Sequence, residues 1–230
     1  MGNLISLIID AGYADRVLND RQLARILGGS DDRRYGQVKR ALKSGDLIRV
    51  KRGQYVLSGK YRTQAVHPYA LAAALVVGSY ISMETALAFH GWIPEAVYTT
   101  VSITPGRKSM EVQQEQFGRF EFNPLALLQS GFLSGVERHV LSGQPALVAS
   151  PLRALMDIVV YRKQEWVGLG WIESGLRIER SHLLALREED FNAMKHIYKH
   201  RTANRFLKEF EAAVLALQTI GSSQRKEGAA

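Results

Sequence analysis

The sequence predicts an α+β protein, with a small N-terminal winged helix-turn-helix ahead of a larger mixed α+β domain that ends in helices. Three observations carry this reading. The first 60 or so residues alternate short amphipathic helical stretches with capping and stop signals, then close on an alternating β pattern with a glycine turn. Positive charge is concentrated in the same segment. Beyond it, β-branched runs give way to a final third with helical periodicity.

The elements follow in order. Leu4, Ile5, Leu7 and Ile8 share one helical face, and Gly12 ends that helix. Asn19 is a good N-cap, and Gln22 three residues on completes a capping-box pair for a helix carrying Leu23, Ile26 and Leu27, stopped by Gly28-Gly29. Ser30 or Asp31 caps a third helix that runs through Arg34 to Ser44, with Gly45 as its stop. Asp46 to Leu57 alternates and turns at Arg52-Gly53, which predicts a β-hairpin with Ile48, Val50 and Tyr55 inward. Three helices and a hairpin in this order make a winged helix-turn-helix.

At about 100° per residue, the third helix shows Arg33, Gln37, Arg40 and Lys43 on one face and Tyr35, Val38 and Leu42 on the other. Arginine and glutamine are side chains that pair bidentately with guanine and adenine edges in the major groove. Arg49, Lys51 and Arg52 on the hairpin are placed to reach phosphate or the minor groove. The expected DNA-binding set is therefore Arg33, Arg34, Gln37, Lys39, Arg40, Lys43, Arg49, Lys51 and Arg52. Charge supports it: residues 1–66 hold 13 Lys+Arg against 6 Asp+Glu, for +7 of the total +8. An excess so placed points to a polyanion partner.

Gly59 to Val66 reads as a polar linker, giving expected domains of 1–66 and 67–220 and a flexible tail of 221–230. In the larger domain, helices are predicted at Pro68–Val76, Met83–His90, Leu152–Tyr161, Ser181–Leu186, Glu189–Lys199 and Ala203–Ile220. Strands are predicted at Ser79–Ile81, Val97–Ile103, Ser109–Gln113, Arg119–Phe122, Val136–Leu141 and Ala146–Ala149.

Several function classes lose ground. The chain has no cysteine, which excludes disulfide scaffolds and thiolate chemistry and fits a cytoplasmic protein. No run reaches the roughly 18–20 apolar residues of a spanning helix. Leu4–Ile9 lacks basic residues before it and meets Asp10, so it reads as a core helix rather than a signal peptide. Met1-Gly2-Asn3-Leu4-Ile5-Ser6 matches a myristoylation pattern, a weak signal beside the core-helix reading. His196 and His200 have i,i+4 spacing, but no glutamate follows the first and Lys195, Lys199 and Arg201 surround them, so a solvated basic face is expected rather than a metal site. Glu188-Glu189-Asp190 suits a helix N-terminus, and His90 a helix C-terminus. Glu121 and Asp157 lack a nearby lysine for nuclease chemistry. No P-loop, nucleophile elbow or dinucleotide fingerprint is present. The expectation is a binding protein, not an enzyme, with no cofactor and no metal.

Lys51-Arg52-Gly53-Gln54-Tyr55-Val56, His67-Pro68-Tyr69-Ala70-Leu71-Ala72, Ser79-Tyr80-Ile81-Ser82, Thr85-Ala86-Leu87-Ala88-Phe89-His90-Gly91, Thr104-Pro105 and Ala149-Ser150-Pro151-Leu152-Arg153-Ala154-Leu155-Met156-Asp157 follow one another behind the predicted hairpin. This order resembles the AbiEi antitoxins of type IV toxin-antitoxin and phage abortive-infection systems, over about residues 1–200. The resemblance implies an N-terminal domain that binds inverted repeats in its own promoter and represses it. It further implies a C-terminal domain that counteracts a nucleotidyltransferase-like toxin without a stable complex. Two alternatives stay open: a stand-alone winged-helix transcription factor with a ligand- or partner-sensing C-terminal domain, and, further off, a nucleic-acid-processing enzyme.

Overall fold

In the computed structural model, residues 3–95 and 97–227 are described, with side chains described to Thr219. Met1-Gly2 of the lipidation-like pattern, and residues 228–230 of the expected tail, lie outside the described residues. The protein is mixed α+β with two sheets. The chain divides into two compact units. The first is Met1–Ser79 with Gln113–Gly118 and Arg138–Leu147; the second is Tyr80–Val112, Arg119–Glu137 and Val148–Ala230. The expected cut at 66/67 thus gives way to one at 79/80, because the helix after the linker packs with the first unit.

In the first unit, helix α1 (Leu4–Asp10) is capped by the Asn3 side chain. A two-residue strand β1 (Leu18–Asn19), absent from the sequence reading, leads into helix α2 (Asp20–Leu27). The Asn19–Gln22 capping box forms as expected, with both bonds at 2.9 Å. Helix α3 spans Asp31–Lys43, and strands β2 (Leu47–Lys51) and β3 (Gln54–Leu57) make the hairpin. β3 lies between β1 and β2, antiparallel to both. Gly53 sits at φ +75°, which its turn requires, and its carbonyl accepts from Asp20 N at 3.1 Å, stapling the hairpin to the start of α2. Leu4, Ile5, Ile8, Leu18, Leu23, Val38, Ala41, Leu47, Tyr55 and Leu57 form the core.

The expected linker is tied down at both ends. Asp46 accepts from Ser44 Oγ at 2.6 Å, Tyr61 Oη at 2.7 Å and Lys60 Nζ at 2.6 Å, contacts that hold its carboxyl far below the usual range. Asp15 receives Thr63 N, Thr63 Oγ1 and Gln64 N. Helix α4 (Pro68–Leu75) then starts on His67, whose Nδ1 accepts from Tyr69 N at 3.2 Å.

The second sheet has the order β6-β7-β5-β4-β9-β8, with β4 Tyr80–Ile81, β5 Thr99–Ile103, β6 Met110–Gln114, β7 Gly118–Asn123, β8 Val136–Leu141 and β9 Gln144–Ala149. β4 runs antiparallel to β5 and parallel to β9, and β5 runs parallel to β7. In the second unit, helices α5 (Met83–Phe89) and α6 (Pro151–Arg162) are apolar nearly all round, and both are largely buried. Helices α7 (Arg180–Leu184), α8 (Glu188–Met194) and α9 (Arg201–Glu227) complete it.

Two expectations fail here. α9 runs to Glu227 instead of ending at Ile220, because Gln224, Arg225, Lys226 and Glu227 are good helix formers and one Gly221 does not stop them. α8 ends at Met194, and His196 takes φ +65°, so His196 and His200 are not one turn apart on a helix. The backbone there pairs instead with an extended segment, Leu128 N to Ile197 O at 2.8 Å and Lys199 N to Ala126 O at 3.1 Å. Among the described residues, no group of three His, Asp or Glu is placed to hold a metal ion, and no helix is long and apolar enough to cross a membrane.

Candidate functional site

The residues expected to bind DNA fall into three overlapping groups. On α3, Lys39, Arg40 and Lys43 are exposed, as are Arg49 and Arg52 of the hairpin. None of these five has a described carboxylate within ion-pair distance. Arg33 is exposed on the same side of the helix, over Gly29. A cation outside ion-pair distance of any carboxylate keeps more of its potential for an incoming anion.

The second group lines a groove of about 530 Å³ between the start of α2, the first half of α3 and the hairpin. Arg34, Arg49 and Arg52 share it with Asp20, Asp31, Tyr35 and Tyr55. Both acids are engaged: Asp31 pairs with Arg34, and Asp20 accepts the Tyr55 hydroxyl. Burial, and then the Asp20 charge, push the Tyr55 phenol up.

The third group departs from expectation. Lys51 Nζ donates to Leu75 O at 2.7 Å, the C-terminal end of α4, where a cation is favoured. That contact ties the hairpin to the end of α4, although Lys51 as a whole stays exposed. Gln37 is half-buried, in a recess it shares with Arg40, Ala41 and the α1 end at Asn3, Leu4 and Ile5. Tyr35, expected inward, is 70% exposed, and the buried residues of α3 are Val38 and Ala41. Val38 and Leu42 pack inward as expected, joined by Ala41 and the Arg34 stem instead of Tyr35, and the exposed side chains of the helix include Arg33, Tyr35, Lys39, Arg40 and Lys43.

The second unit holds a buried polar network that spacing alone did not reveal. Arg153 and Asp157, one turn apart on α6, are both 0% exposed and paired at 2.9 Å. Arg153 Nη1 donates to Gly131 O at 3.1 Å and Ser134 O at 2.8 Å, and its Nη2 donates to the Tyr80 hydroxyl. Asp157 accepts from Tyr80 at 3.0 Å, Ser82 at 2.7 Å and Tyr198 at 2.9 Å. The guanidinium also lies over the Tyr80 and Tyr198 rings, at 5.2 and 5.5 Å. Burial, then the Asp157 charge, push both phenols up. Burial alone would depress Arg153, but Asp157 outweighs it and holds the guanidinium more firmly protonated.

Such a network orders a core rather than meeting a substrate. Its legible signal was an opposite-charge i,i+4 pair on a helix otherwise apolar all round. Four of its members, Tyr80, Ser82, Arg153 and Asp157, fall in the segments that carry the resemblance. The other candidates are engaged locally. Glu121 pairs with Arg119 at 3.0 Å, His90 Nε2 meets Ala149 O at 2.9 Å, and Asp190 caps α8 through Arg187 N at 2.8 Å. Comparison of the chain with protein-family models and with curated proteins finds no match.

Proposed function

We propose that this protein is a double-stranded-DNA-binding regulator, in which α2, α3 and the β2–β3 hairpin act as a winged helix-turn-helix with α3 as the reading helix. The observation that carries this is the set of five unpaired cations, Lys39, Arg40, Lys43, Arg49 and Arg52, on α3 and the hairpin beside it. Their uncompensated charge suits phosphates on two sides of a groove, while Arg40 and Arg33 have the chemistry for guanine edges.

The order of elements and the resemblance to AbiEi antitoxins support a fuller reading. The chain would act in the cytoplasm as a repressor of its own promoter and as an antitoxin. It would counteract a nucleotidyltransferase-like toxin without a stable complex, and without catalysis or a cofactor. The second unit, a compact body of its own with a core centred on Arg153–Asp157, suits a separate antitoxic role.

The test uses the full chain with Arg40→Ala and Lys43→Ala together, in cells carrying a reporter on its own promoter and the nucleotidyltransferase-like toxin that the resemblance implies. Repression is expected to be lost and growth rescue retained. Loss of both, at equal protein level, would overturn the two-function reading and leave repression as the basis of protection. Repression unchanged would overturn the α3 assignment.

A further inference from the structure

The aromatic ring on α3 is left largely in solvent. Tyr35 is 70% exposed in the second turn of the helix, and it lines the groove shared by Arg34, Arg49 and Arg52. Its neighbour one turn on along the outward face is the unpaired Lys39. Arg34 is paired with Asp31, so Arg49 and Arg52 carry the groove's attraction for a polyanion; the ring adds no charge, and the partner its exposed face suits is an apolar surface. In the DNA major groove that surface is the thymine C5-methyl, and residues in the N-terminal half of a reading helix are those that meet base edges.

We propose that Tyr35 is a specificity-determining residue that packs its ring against a thymine methyl, with Arg49 and Arg52 on the flanking phosphates. This rests on the DNA-binding reading above. The contact uses the ring and not the hydroxyl, so phenylalanine serves equally well at this position.

The probe is a duplex selected by the full-length protein from a pool with a randomised core. Each thymine of that duplex is then replaced singly by deoxyuridine, which removes only the methyl group. For the wild-type protein, one replacement is expected to weaken binding about fourfold, the equivalent of one buried methyl group of about 0.8 kcal/mol. Tyr35→Ala should bind the thymine duplex more weakly and be indifferent to uracil at that position. Tyr35→Phe should match the wild type. The salt dependence of Tyr35→Ala should be unchanged, because no cation is removed. Tyr35→Gln, a helix former without the ring, repeats the test should the alanine variant fold poorly. Duplex binding with no thymine position that depends on Tyr35 would overturn this proposal alone. Failure to bind any duplex at low salt would instead overturn the DNA-binding reading.

Discussion

Replacing Asp157 with alanine removes the carboxylate that faces Arg153 and leaves a fully buried guanidinium without its counter-charge. Breaking a buried pair from one side costs about 3–5 kcal/mol, since the remaining charge cannot regain water. The hydroxyls of Tyr80, Ser82 and Tyr198 lose the same acceptor, at roughly 1 kcal/mol each before relaxation. These contributions overlap, so about 4 kcal/mol or more is expected, a large share of the 5–15 kcal/mol that typically holds a domain together. Asp157→Asn keeps an acceptor oxygen and should cost less. Trp92, Trp166 and Trp171 are the chain's three tryptophans, and all belong to the second unit, so their fluorescence in a urea titration reports this unit. The midpoint should fall at unchanged slope. A loss below about 1 kcal/mol would refute the claim that this network organises the unit.

Three further outcomes follow from the geometry. The Tyr198 phenol is raised above its unfolded value of about 10, so its contribution is complete below that pH and lost as pH rises beyond it; Tyr198→Phe should be less stable at neutral pH and show a shallower alkaline decline in urea titrations. His67 is shifted the other way by burial, so stability is full above about pH 6.5 and falls as pH drops through the depressed folded value. His67→Asn keeps an N-cap for α4 and should flatten that acid-side loss in thermal melts across pH. Lys51→Met should destabilise the first unit by about 1 kcal/mol through the lost Leu75 contact, yet change the salt dependence of DNA binding far less than Arg52→Ala does; equal changes would place Lys51 on the phosphates after all.

Local signals made most of the first unit legible. The Asn19–Gln22 box, the Gly45 stop and the Arg52-Gly53 turn are decided by neighbours in sequence, and they form where expected. The facing of α3 was harder to read, because its inward stripe includes the aliphatic part of Arg34 while a tyrosine points out. Apolarity alone therefore placed Tyr35 on the wrong side. Lys51 was read as an outward cation because the carbonyl it caps lies 24 residues away. The same holds for Asp157, whose hydroxyl partners come from 41 to 77 residues away. His196 and His200 looked helical because their spacing is; pairing with Ala126 and Leu128 draws that stretch out of the helix.

The central claim is that cations on α3 and the hairpin meet a duplex. It is tested most directly by fluorescence anisotropy of the full chain on labelled duplex DNA across salt concentrations. If all five unpaired cations contact phosphates, log K against log salt should slope at roughly −4 to −5. Replacing Lys43, Arg49 and Arg52 together by alanine should make that slope shallower by about 2.7. A triple variant that binds with the wild-type slope, or a wild-type protein that binds no duplex at low salt, would contradict the account.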